Sequence, residues 1–329
     1  MSKPTEVAKA WGQGNETRDS SVRASQRFIP LPPFPCPINR RHFLTLTGFG
    51  LAASALPTWA ARFMPKNVPA SDKVELAIAT ICCDGMGDED FKYAFDTIPQ
   101  LGLKNVEFNV WYPRNLTPAG VRGIQERCAA RGLKPVCLQS LSFGGGTKDA
   151  IVKDIREKLW LMECGRTLGC RRIKCSGYKR GAEGGLDAII TVLKELAPAA
   201  EERGLLLCVE NHDGSNLENA ADFDRVFSAI ASPNVGLCLD PGHFAKAGVD
   251  PFAIATRFKD RLLHLDLKDF KDGEWARYGE GVIDLPRLVT QVIKDGYRGY
   301  LVIELSLRDR ATMLGDLKKG VGMFRQFEQ

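Results

Sequence analysis

The sequence predicts a (β/α)8 barrel over residues 70–329, and three observations lead there. From residue 74 onward a short apolar run, a polar turn and an amphipathic helical stretch alternate, and eight such runs occur. The alternation takes about 255 residues, the usual span of such a barrel. The turn after the first run, CCDGMGDED, carries Asp and Glu where an open doubly wound sheet would cradle phosphate, which argues against that alternative.

The runs read as strands are VELAIATIC (74–82), NVEFNV (105–110), LKPVCLQSL (133–141), RRIKCSG (171–177), LLLCVEN (205–211), VGLCLDPG (235–242), LLHLDLKD (262–269) and YLVIELS (300–306). Each is apolar and short enough for a strand sheathed by helices. Helix ends are marked by Gly in IPQLGLK, ERCAARGLK, RTLGCRR, EERGLLL and IKDGYRG.

Residues 1–65 read as a leader. Asn39-Arg40-Arg41-His42-Phe43-Leu44 precedes a charge-free, Gly- and Ala-rich run interrupted by Pro57, with small-residue sites at Ala53-Ser54-Ala55 and Thr58-Trp59-Ala60. This resembles a twin-arginine export signal, which predicts a periplasmic protein that meets the membrane only through that signal; the alternative is an N-terminal arm and a cytoplasmic protein. The formal charge of +5 belongs to this segment: residues 1–62 hold eight of the 45 basic and three of the 40 acidic residues, leaving 37 of each. The neutral body argues against a nucleic-acid partner. Composition is that of an ordinary globular chain, 44% hydrophobic and 26% charged. The cysteines sit in apolar runs without CxxC spacing and read as buried free thiols; adjacent Cys82 and Cys83 are expected on opposite faces of a strand.

Active sites of this fold lie at the C-terminal strand ends. Glu210 ends the fifth run, Asp240 the sixth and Glu304 the eighth, and Asp266 lies near the end of the seventh. A single carboxylate at a strand end commonly caps a helix or pairs with arginine. Four on successive strands crowd negative charge on one rim, which is destabilising unless a cation compensates it. A divalent metal is the economical explanation, and the oxygen-rich set favours Mn²⁺, with Mg²⁺ or Co²⁺ possible. Alternation in LLHLDLKD puts His264, Asp266 and Lys268 on one face, and Glu107, Lys174 and His212 have the same inward parity, so His264, Lys268, Glu107 and His212 are candidate substrate contacts, with a deep core histidine hydrogen-bonded within the barrel as the other reading of His264. Lys268 either steadies a substrate oxygen or pairs with Asp240 or Glu304. Trp111 and Phe143 are candidates for an apolar wall or for simple packing, and Gly144-Gly145-Gly146 for a lid or an ordinary turn.

The set VENHDG, LDPGHF, HLDLKD, RYGEGVIDL and GYRGYLVIELS resembles the xylose isomerase-like TIM barrel superfamily, the sugar phosphate isomerase/epimerase group. The resemblance implies Glu210, Asp240, Asp266 and Glu304 as metal ligands and His243 of the D-x-x-H motif as a substrate contact. It implies Glu210 and Glu304 as an acid/base pair that isomerises or epimerises a sugar or keto-sugar through a cis-enediolate, with lyases and dehydratases as close variants. Family members are often homo-oligomers. Where the family commonly has H-x-K-D, this chain has Asp266-Leu267-Lys268-Asp269, so Asp266 is the favoured seventh-strand ligand and His264, one step deeper, the alternative. A metal-free carbohydrate-binding barrel is the competing reading. An endonuclease IV-like phosphodiesterase fits poorly, because that site is rich in histidine and this chain has four in all.

Overall fold

The structure is a computed structural model that describes residues 73–329 apart from 86, 88, 307 and 308. The leader and its export signal lie outside the described residues. Among the described residues eight parallel strands close into a barrel: β1 (Val74–Ala79), β2 (Asn105–Asn109), β3 (Lys134–Gln139), β4 (Arg172–Ser176), β5 (Leu206–Glu210), β6 (Val235–Leu239), β7 (Leu262–Leu267) and, after the short antiparallel hairpin β8 (Phe270–Lys271) and β9 (Glu274–Trp275), β10 (Gly299–Ile303). β1 pairs with both β2 and β10, which closes the ring.

Most of the eight runs read from the sequence end one to three residues too late. After β1 the chain turns at once into a helical turn, α1 (Ile81–Asp84), so Cys82 and Cys83 are helical rather than on a strand. After β6, Asp240 is already the N-cap of α7 (Pro241–Lys246), with proline at the first helical position. At Asp240 a polar side chain that completes the strand pattern also caps the next helix, and the helix wins.

The outward side chains of the strands, such as Leu207, Val209, Leu237, Leu239, Leu265 and Leu267, enter one continuous core with the surrounding helices. The barrel interior is filled in patches. Ala77, Ala79, Val136, Tyr300 and Val302 pack on one side, and Leu206, Cys208 and Cys238 on the other. The small inward residues of β1 and the cysteines leave room for the long side chains of Lys174 and His264, both fully buried. No helix among the described residues is long and apolar enough to cross a membrane.

The loops that frame the C-terminal mouth are packed. A methyl group on Gly146, in the β3 loop, would lie 2.3 Å from the Cα of Gly184 in the β4 loop, and one on Gly145 would lie 2.9 Å from the Tyr178 ring. The Gly-Gly-Gly stretch is therefore a close backbone crossing that excludes side chains.

Candidate metal centre and active site

Each member of the acidic quartet is placed by its own local device. Glu210 is the last residue of β5. The next residue, Asn211, donates from Nδ2 to the Asp240 carbonyl (2.8 Å) and accepts at Oδ1 from the Asp240 N–H (2.9 Å), which ties β5 to the end of β6. Asp240 Oδ1 caps α7 by accepting from the His243 N–H (3.0 Å), leaving Oδ2 to turn inward. Asp266 projects from β7, and Glu304 follows β10 with its N–H bonded to the Leu267 carbonyl (3.3 Å). Gly242 is required in Asp-Pro-Gly-His because a Cβ there would meet Lys268 Cγ at 2.9 Å.

These devices bring one carboxylate oxygen from each of Glu210, Asp240, Asp266 and Glu304 within 4.8 Å of one another, all four residues buried. Asp266 Oδ1 is buried without a hydrogen-bond partner. Four hard oxygen donors with an unsatisfied atom among them fit a divalent cation.

The compensation is more elaborate than the expectation of a metal alone. Lys174 Nζ reaches into the cluster from β4, 2.6 Å from Glu107 Oε1, 2.8 Å from Glu304 Oε2, 2.9 Å from Asp266 Oδ2 and 3.4 Å from Glu210 Oε1. Lys268 Nζ lies 2.6 Å from Glu304 Oε1 and 3.0 Å from Asp240 Oδ2. Two ammonium groups thus stand among five carboxylates, so the quartet does not depend on a dication alone for its charge balance. Burial by itself would depress Lys174, but Asp266, Glu107, Glu210 and Glu304 outweigh it and hold the ammonium well above the ordinary lysine range. Burial likewise opposes ionisation of Glu304, yet Lys174 and Lys268 prevail and hold its carboxyl well below the usual value. Asp266 goes the other way: burial, reinforced by Glu304, Glu107 and Glu210, raises it against the pull of Lys174.

Glu107 and His264, both expected to contact substrate, do not line the pocket. His264 Nε2 donates to Glu107 Oε2 (2.7 Å) beneath the quartet, where burial lowers the imidazole and keeps it neutral. His264 Nε2 also lies 3.7 Å from Asp266 Oδ1, and it is Asp266, not His264, whose carboxylate lies within reach of Glu210, Asp240 and Glu304. Of the two readings of Phe143, packing holds: it is 2% exposed and sits in the core.

Above the quartet opens a cavity of about 470 Å³, lined among others by Glu210, Glu304, Lys268, His243, His212 and Trp111. Its wall includes residues that the sequence pattern did not single out. Asp213 accepts from His243 Nδ1 (2.6 Å), since a carboxylate offers no proton, so the imidazole turns Nε2 toward Lys268 Nζ (3.3 Å). That hydrogen bond, more than any other influence, holds the Asp213 carboxyl below its usual range. The His212 ring stacks on His243 at 3.8 Å between centroids. Trp275, from the hairpin, meets His243 edge-on at 4.7 Å and lies under the Lys268 ammonium at 5.0 Å. The hairpin is anchored by Asp269, whose Oδ1 accepts from the N–H groups of Phe270, Val282 and Ile283 at 2.7 to 3.1 Å, and by Tyr278, which donates to the Leu267 carbonyl (2.5 Å). These contacts account for RYGEGVIDL: a methyl on Gly281 would sit 2.0 Å from Asp269 Cγ.

A closed parallel barrel with carboxylates gathered at the C-terminal strand ends defines a TIM barrel with a candidate site at its usual mouth. The chain belongs to the xylose isomerase-like TIM barrel family, whose model matches residues 95–327. Among curated proteins it is 31% identical over 131 residues to the rhizopine catabolism protein MocC of Rhizobium meliloti, covering 34% of this chain and 40% of that one. It is 26% identical over 278 residues to inosose dehydratase of Serratia proteamaculans, covering 71% of this chain and 90% of the relative. The chain spans less than half the length of the first curated relatives it matches. A solved structure of IolI protein with a bound zinc atom shares the fold, with a TM-score of 0.64 at 18% identity, covering 78% of this chain and 99% of that one.

Proposed function

We propose that this chain is a divalent-metal enzyme that removes the proton next to the carbonyl of a polyhydroxy ketone and then expels a neighbouring hydroxyl as water. The observation that carries the reading is the facing pair Glu210 and Glu304, both lining one pocket beside Lys268 and His243. Relatives named inosose dehydratase support loss of water as the outcome, and a cyclic or linear keto-polyol as substrate.

Glu210, Asp240, Asp266 and Glu304 would hold the ion, and their all-oxygen character favours Mn²⁺ or Mg²⁺. The bound ion would polarise the carbonyl and so acidify the adjacent C–H. One glutamate takes that proton as general base. Lys268, fixed by Glu304 and Asp240, faces the pocket with a positive charge that stabilises negative charge developing on the carbonyl oxygen. The protonated glutamate then passes that proton to the departing hydroxyl, which leaves as water, while His243, whose Nδ1 proton is held by Asp213, offers Nε2 as an acceptor to a substrate hydroxyl. The balance is one keto-polyol giving one dehydrated ketone and one water.

Isomerisation or epimerisation is the second reading, favoured by two glutamates from strands three places apart round the barrel lining one pocket, since the second can return the proton to carbon. Incubation with Mn²⁺ and a panel of linear and cyclic keto-polyols in D₂O separates the two by mass spectrometry. A product lighter by one water supports dehydration. Deuterium in a product that keeps all its oxygen supports isomerisation, and neither change in any substrate removes the proposal.

A further inference from the structure

Of the four carboxylates around Lys174 Nζ, three belong to the quartet and one does not. Glu304 Oε2 at 2.8 Å, Asp266 Oδ2 at 2.9 Å and Glu210 Oε1 at 3.4 Å are on residues that would hold the ion, whereas Glu107 Oε1 at 2.6 Å stands outside it. An ammonium and a dication cannot both sit close to the same oxygens in a buried, weakly screened site without strong repulsion. One of them has to yield, and only the ammonium is tethered.

The tether has somewhere to go. Glu107 is held from behind, its Oε2 bonded to His264 Nε2 at 2.7 Å, and Lys174 is already nearest to it. Lys268 has no such refuge among carboxylates: both of its carboxylate partners, Asp240 and Glu304, are quartet members. The two lysines therefore differ in kind. Lys268 borders the pocket and shares the quartet's outer oxygens, while Lys174 sits beneath, fully buried, among the inner ones.

We propose that Lys174 is an internal competitor of the divalent ion, withdrawing onto Glu107 when the ion binds the quartet. The inference rests on the metal reading above and adds that this chain carries its own displaceable cation. It follows that in the metal-stripped protein the ammonium offsets part of the carboxylates' charge, and that metal affinity is set by competition between Lys174 and the ion.

The test uses the full chain, stripped with EDTA and titrated with Mn²⁺ while free Mn²⁺ is followed by its electron paramagnetic resonance signal. Lys174→Met, which keeps the aliphatic stem and removes the charge, is expected to bind Mn²⁺ at least about ten-fold more tightly than the parent. Equal or weaker binding by the variant, with the parent binding normally, overturns the competition. No binding by either protein removes the metal reading, and the competitor with it. Should Lys174→Met not fold, a crystal structure of the parent with Mn²⁺ decides. Nζ retained by Glu107 and clear of Asp266 and Glu304 supports the proposal; Nζ still bonded to both of those carboxylates beside the ion overturns it.

Discussion

Lys174 and Glu304 meet at 2.8 Å across the barrel interior, one projecting from the fourth strand and the other following the last. The pair is fully buried and has a second cation, Lys268, on the opposite carboxylate oxygen at 2.6 Å. Removing one member of such a network leaves a buried charge without its partner, the costly way to break an ion pair.

Glu304→Gln is therefore expected to keep the barrel, since the amide oxygen still accepts from one lysine, while turnover falls by at least about 100-fold through loss of the acid/base group. Far-ultraviolet circular dichroism and a steady-state assay check both halves. Unchanged turnover would exclude the assigned role.

Asp213 gives a pH signature. Its folded value is depressed by the His243 hydrogen bond, so its contribution to stability is complete above the unfolded aspartate value and is lost as pH falls toward the folded one. With a side chain that is one quarter exposed, the contribution is about 1 kcal/mol after allowance for solvent screening. The melting temperature of the parent should drop more steeply between pH 5 and pH 3 (about one unit either side of the unfolded value) than that of Asp213→Asn. Parallel slopes would refute the coupling.

All nine cysteines among the described residues are free and buried. Burial pushes Cys83, Cys170 and Cys175 up to about 12, far from the thiolate form. Ellman's reagent at mildly alkaline pH should leave these nine unlabelled in the native protein and label them in denaturant. Rapid native labelling at any of them would contradict the packing.

Gly281→Ala drives a methyl into the Asp269 carboxylate and dislodges the acceptor of three backbone N–H groups. The expected cost is about 1–3 kcal/mol, seen as a melting temperature lower by several degrees. Because the same carboxylate anchors the hairpin bearing Trp275, KM for the keto-polyol should rise more than kcat falls.

The barrel was legible because its strands are apolar outward and its helices end on glycine, two local signals that agree with the global fold. Asp266 was legible as an inward side chain from period-two alternation, and its choice over His264 came from the resemblance to the family's H-x-K-D pattern. Its relation to Lys174 was not: parity places both inward, but which oxygens an ammonium reaches depends on the shear of strands far apart in sequence. Glu107 and His264 share that inward parity but lie outside the pocket lining; of the two readings of His264 the hydrogen-bonded core histidine fits, and what sequence could not show is that Glu107 is its partner. Asp213 and Trp275 escaped because they sit in a loop and a two-residue hairpin, where no periodicity marks a side chain's direction.

The crossing of Gly146 and Gly184 at near-contact distance links the third and fourth loops of the mouth as one mechanical unit. Substrate range in such barrels is re-tuned by exchanging mouth segments, and here the two cannot be exchanged singly. A graft of either segment from a relative brings a side chain into its neighbour's backbone, whereas transplanting the two together preserves the clasp. Divergence of specificity along this lineage should accordingly leave paired changes at these two places.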